Sequence, residues 1–325
     1  MVWKPSKLVL WCTVPPAIIG FASLIKEYSG GKKYEGKDKL TNKVVIVTGA
    51  NTGIGRETAL NLAQRDAKVI MACRDMQKCE STRQTIVLTT RNKYVYCRKC
   101  DLASFASIRE FVDQFKKEQK ELHILINNGG VMNCPKSTTV DGIETQLGVN
   151  HMGHFLLTNL LLDRLKESAP SRIINVSSVA HKKGEINIAD LNSEKDYDPV
   201  VAYRQSKLAN ILFTKKLAKK LEGTGVTVNA VHPGLVDTEI LRHMGFYNST
   251  FSTIFIYPLV WPFLKRPTHG AQTTIYAALD PSLKDVSGKY FSNCEEAETA
   301  PLAEDDKLAD WLWLTSEKWT RLKNR

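Results

Sequence analysis

A chain of 325 residues, 43% hydrophobic and 24% charged, has the composition of a globular protein with room for one large domain or two modest ones. Its formal charge of +11 admits an anionic cofactor, a membrane surface or nucleic acid. The Lys and Arg residues are interleaved with acids and form no long basic block, which argues against a nucleic-acid groove. The seven cysteines (Cys12, Cys73, Cys79, Cys97, Cys100, Cys134 and Cys294) are odd in number and irregularly spaced, which predicts no disulfide framework and a reducing compartment. Cys97-x-x-Cys100 has no second Cys or His pair to complete a metal site, and none is predicted.

The N-terminus stands apart. Residues 8–25 are nearly all apolar, with Lys4 and Lys7 before them and Lys26, Lys32 and Lys33 after. About 20 apolar residues span a bilayer. Pro15-Pro16 would kink such a helix without forbidding it. No small-x-small cleavage site is evident, so residues 1–28 are predicted to be an uncleaved membrane anchor. The competing reading is an apolar segment that docks on the protein or lies in the interface. The heavier basic flank on the C-terminal side places the main domain on the cytoplasmic face. Residues 29–42 read as a polar linker.

From Lys43 onward strands and helices alternate. Val44-Val45-Ile46-Val47 is a continuous apolar run, expected of a strand buried on both faces. The pattern then predicts a helix over 56–65, a strand over 69–72, a helix over 76–88, a strand over 94–96 and a helix over 104–120. A strand over 122–126, a helix over 148–166, a strand over 172–176, a helix over 201–221 and a strand over 226–231 follow. Right-handed crossovers turn this order into an α/β fold, a doubly wound parallel sheet of Rossmann type. The domain is predicted over residues 43–300, with no separate substrate domain. Residues 301–325 read as an amphipathic helical tail carrying Leu308, Trp311, Leu312 and Trp319.

The first strand runs into Thr48-Gly49-Ala50-Asn51-Thr52-Gly53-Ile54-Gly55 and then a helix. Glycines there let a pyrophosphate approach the backbone, and the helix N-terminus supplies free N–H groups. This spacing resembles the short-chain dehydrogenase/reductase family. The second strand ends in Ala72-Cys73-Arg74. An Arg in place of a ribose-binding acid suits a 2′-phosphate, so NADP(H) is predicted, with Arg56 placed to assist. The resemblance adds Asp101 and Leu102 beside the adenine. It adds Asn128 from Asn127-Asn128-Gly129-Gly130, where Gly129 replaces the family's Ala, and Pro233, Val236 and Thr238 around the nicotinamide.

Tyr203 and Lys207 lie four apart on a predicted helix, hence on one face. A fixed cation beside a phenol lowers its pKa from about 10 toward the working range. The resemblance makes Tyr203 the general acid/base, and Lys207 its partner and a ribose ligand. It makes Ser178 the donor to the substrate oxygen, with Ser177 as fallback, and Asn150 the residue that holds a water relay. Tyr203 and Ser178 thus also bind substrate. The segment 244–266 is rich in aromatic residues and reads as a lid for a lipophilic substrate. With Asn150-His151-Met152-Gly153-His154-Phe155 and Gly288-Lys289-Tyr290-Phe291, the chain is similar to the membrane-associated retinol dehydrogenases. That similarity implies interconversion of retinaldehyde and retinol with NADP(H), on the endoplasmic reticulum membrane or in the mitochondrion. It also implies a homodimer paired through the helices that hold Asn150 and Tyr203. A dehydrogenase for steroids or other lipophilic aldehydes, and a catalytically silent membrane-tethered relative, are the alternatives.

Overall fold

The computed structural model describes residues 20, 23–243 and 260–322. Strand β1 (Val44–Thr48) is buried along its whole length. Val45 and Val47 point into one core and Ile46 into the other, as the two-residue period of a strand requires. The first core is roofed by α1 (Gly53–Gln64), α2 (Met76–Thr90) and α6 (Pro267–Leu279). The second is roofed by α3 (Phe105–Glu118), α4 (Gly153–Glu167) and α5 (Pro199–Lys220).

The strands are β2 (Lys68–Cys73), β3 (Val95–Lys99), β4 (Ile124–Asn127), β5 (Ser171–Val176), β6 (Val226–His232), β7 (Tyr290–Ser292) and β8 (Glu295–Glu296). Their order across the sheet is β3-β2-β1-β4-β5-β6-β7-β8, and all pair in parallel except β8. Chain direction across the sheet reverses between β1 and β4. A crevice therefore opens at the carboxyl ends of those two strands, and the site lies there.

Caps fix the helix starts. The Asp75 carboxylate accepts from Lys78 N, and Ser104 accepts from Ser107 N. Asp198 accepts from the amides of Val200 and Val201 with Pro199 in the first turn, so α5 begins two residues before its predicted start. The helix predicted over 148–166 is divided. Gly148–Met152 is π-helical, and α4 proper begins at Gly153. Helix α6 and strands β7 and β8 are additions to the predicted elements. The sequence Pro267-Thr268-His269-Gly270 opens α6 with no apolar stripe, and β7 and β8 are three and two residues long.

Cys79 on α2 and Cys97 on β3 form a disulfide, with Cα atoms 6.0 Å apart. Spacing predicts no such pair. The return of the chain from α2 to the neighbouring strand brings together residues 18 apart.

Helix α7 (Asp306–Trp319) lies across α4 and α5. Its buried stripe is Ala309, Leu312, Trp313 and Ser316, and the Trp313 ring meets Phe155 at 5.0 Å and Phe213 at 6.0 Å. The predicted anchor lies largely outside the described residues, as does the lid over 244–259. Among the described residues no helix is long and apolar enough to cross a membrane. Residues 23–28 are helical and sit against the domain. The Lys26 ammonium donates to the Trp261 carbonyl at 3.2 Å and lies 4.1 Å above its ring. Beyond them, Lys32 N donates to Asn293 and Tyr34 N to Gln272, which ties the predicted linker along the domain.

Candidate active site

The crevice is a cleft of about 290 Å³. Gly49 (φ +63°) and Gly53 (φ +54°) adopt left-handed backbone that side chains resist. A Cβ on Gly55 would stand 2.4 Å from the Gly49 carbonyl oxygen. No side chain caps α1, so its first amides stay directed into the cleft. These features form a cradle that only a glycine loop can make, and it fits a dinucleotide pyrophosphate.

Gly49, Asn51, Thr52, Gly53, Ile54, Gly55, Arg74, Asp101, Leu102, Asn128 and Thr238 all line this cleft. Tyr203, Lys207, Pro233 and Val236 lie outside its wall. Val236 is buried, and its methyls occupy the space that a side chain on Gly270 would need. Arg74 follows the last residue of β2 and is exposed. The acid next to it, Asp75, is turned to cap α2. Lys78 is a second cation in the cleft wall, 3.7 Å from Glu239. Arg56, expected to assist, instead points to Glu57 at 3.6 Å and is not part of the lining. At Gly129, where Gly replaces the expected Ala, a Cβ would come within 2.8 Å of Leu102 Cδ1, the movable end of a side chain.

Asn150 and Lys207 adjoin Gly130 at the cleft wall, and Tyr203 and Ser178 lie beside Lys207. A Cβ on Gly130 would sit 3.1 Å from Asn150 Oδ1 and 3.8 Å from Lys207 Nζ. Asn150 is fully buried in the π-helical turn. Its Oδ1 accepts from Val131 N at 2.9 Å, and its Nδ2 donates to Val131 O at 2.9 Å and Ser206 Oγ at 3.0 Å. Ser177 is buried and donates to the Lys207 carbonyl at 2.8 Å, whereas Ser178 is half-buried and hydrogen-bonds the Tyr203 phenol. The Lys207 ammonium donates to the Val176 carbonyl at 3.1 Å and lies 5.6 Å from the centre of the Tyr203 ring.

The electrostatics differ from expectation. Burial pushes the Tyr203 phenol up to about 12, and the Ser178 hydrogen bond pulls the other way. Burial lowers Lys207 to about 8. With the protein alone, desolvation outweighs the neighbouring cation at the phenol.

Thr48, His154 and Lys78 also belong to this region. Thr48 and His154 stand within the motifs read from the sequence but were given no role there, and Lys78 was not singled out; the signal at His154 was its position four residues after Asn150 on the same helix.

The short chain dehydrogenase profile matches residues 43–245. The chain belongs to this family. Members are oxidoreductases that use nicotinamide cofactors, and the glycine cradle suits one. The chain is 50% identical to human (Homo sapiens) retinol dehydrogenase 13 over 319 residues, covering 98% of this chain and 96% of the relative. It is 52% identical to human retinol dehydrogenase 12 over 295 residues, covering 91% and 92%. Among solved structures, the Pseudomonas aeruginosa RhlG/NADP active-site complex is similar at 26% identity, with a TM-score of 0.63 and 78% and 95% of the two chains covered.

Proposed function

We propose that this short chain dehydrogenase is an NADP(H)-dependent oxidoreductase that interconverts retinaldehyde and retinol, or a similar lipophilic carbonyl and alcohol, mainly by reduction. The observation that carries the reading is the convergence of Ser178, Tyr203 and Lys207 beside a glycine cleft with Arg74 at its other end. The names of the relatives support a retinoid, and the NADP in the similar bacterial complex supports the phosphorylated cofactor.

A bound NADPH supplies the hydride, and the residues of this chain arrange everything else. The glycine loop and the α1 N-terminus would hold the pyrophosphate, and Arg74 with Lys78 would hold the 2′-phosphate. Tyr203, protonated across the physiological range, donates its proton to the carbonyl oxygen. Ser178 donates a hydrogen bond to the same oxygen as charge develops on it. Lys207, largely charged at neutral pH, favours the resulting phenolate. Asn150 holds the proton route back to solvent. Exposed Val179, Val201 and Leu235 lie close in sequence to Ser178, Tyr203 and Val236, and Phe263 is exposed at the end of the lid segment. Their apolar surface suits a lipophilic substrate. We assign residues 1–28 to membrane attachment, at the endoplasmic reticulum or the mitochondrion.

Retinaldehyde reduction followed by cofactor oxidation at 340 nm, with NADPH against NADH, tests this reading. The wild type should prefer NADPH. Arg74→Ala should weaken NADPH by about 10–100-fold, the worth of a charge-assisted contact, with NADH little changed. Preference for NADH, or an equal loss of both cofactors, would contradict it.

A further inference from the structure

We propose that His154 is a positioning residue that couples the dinucleotide cleft to the Asn150 turn. This rests on the functional reading above.

Thr48 ends β1, directly before the glycine loop. Its hydroxyl oxygen accepts from two backbone amides of the β4 terminus, Asn128 N at 2.9 Å and Gly129 N at 2.8 Å. Both lone pairs are thereby used, and the single hydroxyl proton must go outward. Two acceptors are within reach. His154 Nε2 is at 2.9 Å, and the Ile126 carbonyl is at a poorer 3.4 Å. The better bond makes Nε2 the acceptor, which puts the ring proton on Nδ1. Nδ1 faces the Asn150 carbonyl at 3.0 Å. A single assignment of protons therefore satisfies Thr48, both amides, the imidazole and the Asn150 carbonyl together. Burial keeps the ring neutral, with its pKa near 4, as the pattern needs.

One imidazole thus ties together the end of β1, the end of β4 and the π-helical turn. The first two form walls of the cleft, and the third carries Asn150. An apolar side chain of similar size would fill the same volume, but it would take the imidazole donor from the Asn150 carbonyl and send the Thr48 proton to a longer bond. Leaving a buried polar group unpaired is costly. The same turn carries a second buried histidine, His151, which bonds Ser316 of α7 at 3.0 Å instead. That contact touches neither the cleft nor Asn150 and supplies a control.

The test compares His154→Leu, His154→Gln and Ser316→Ala by NADPH fluorescence titration, by kcat with retinaldehyde and by urea midpoint. The Leu variant should raise the NADPH Kd and lower kcat, each by about tenfold or more. Gln can donate to the Asn150 carbonyl and accept from Thr48, so it should recover most of both. Ser316→Ala should lower the midpoint and leave Kd and kcat unchanged. A folded Leu variant with wild-type Kd and kcat, or a Gln variant no better than Leu, would overturn the proposal. Imidazole nitrogen NMR of the wild type reads the same link without any variant. The neutral Nδ1–H tautomer at His154 supports it, and the Nε2–H tautomer or an imidazolium contradicts it. A wild type that turns over no carbonyl, with variants that still show these Kd shifts, would defeat the functional reading and leave this coupling standing.

Discussion

Tyr203 enters the site with a phenol that burial holds protonated; the Ser178 hydrogen bond opposes that shift, and the Lys207 ammonium lies 5.6 Å from the ring centre. The proton is therefore available for reduction, and the phenolate left behind needs the cation. Sequence spacing made the pair visible because residues four apart share a helix face. It could not give the sign of the pKa shift, since desolvation depends on every element packed over the ring. The choice between Ser177 and Ser178 likewise turns on which hydroxyl the α5 backbone already uses. Buried histidines carry a second residue-scale consequence. His151 is held at about 3 and His154 at about 4 by burial, and the half-buried His232 at about 4 by desolvation and the nearby Lys265 ammonium. Each folded value lies below the ordinary 6.5, so the unfolded chain takes up protons first. Their stabilising contribution is complete above pH about 6.5 and is lost as pH falls toward about 4, by up to about 1.4 kcal/mol per pH unit for each ring. Urea midpoints should therefore drop between pH 7 and pH 5. An unchanged midpoint would contradict the burial of these rings.

The alternation of strands and helices was readable because strands buried on both faces are continuous apolar runs. Helix α7 was readable only in part. Leu308, Trp311, Leu312 and Trp319 marked it as amphipathic, yet the inner stripe is Ala309, Leu312, Trp313 and Ser316, and a small residue and a serine conceal it. Trp313 is the anchor against Phe155 and Phe213. Ion pairs from Lys216 to Asp310 and from Lys219 to Asp306 run along its edge, but at exposed sites such pairs add little. Trp313→Ala should destabilise the fold by about 3–5 kcal/mol in chemical denaturation. A loss below about 1 kcal/mol would show that α7 is not seated on the core. The same helix packs on α5 and meets α4 at Phe155, the two helices through which a homodimer was expected. The disulfide between α2 and β3 and the short strands β7 and β8 were illegible, because the disulfide depends on how the chain returns from α2 to β3, β7 on its pairing with the distant β6, and β8 is too short to carry a pattern.

At the scale of the whole molecule, one sheet places the two ends of the chemistry. The reversal between β1 and β4 opens the cleft, β2 presents Arg74 at one end, and β5 with α5 presents Ser178, Tyr203 and Lys207 beyond the other. The docked residues 23–28 meet Trp261, so the apolar N-terminal segment and the lid segment reach the domain at the same place. The claim that unites these parts is that Tyr203 delivers the proton in an NADPH-dependent carbonyl reduction. Its most direct test is the turnover of retinaldehyde by Tyr203→Phe, with NADPH binding measured on the same preparation. The account predicts a loss of at least about 10²-fold in kcat, the usual worth of a positioned acid, with the NADPH Kd retained. Near-normal turnover by the folded, NADPH-bound Phe variant would contradict it.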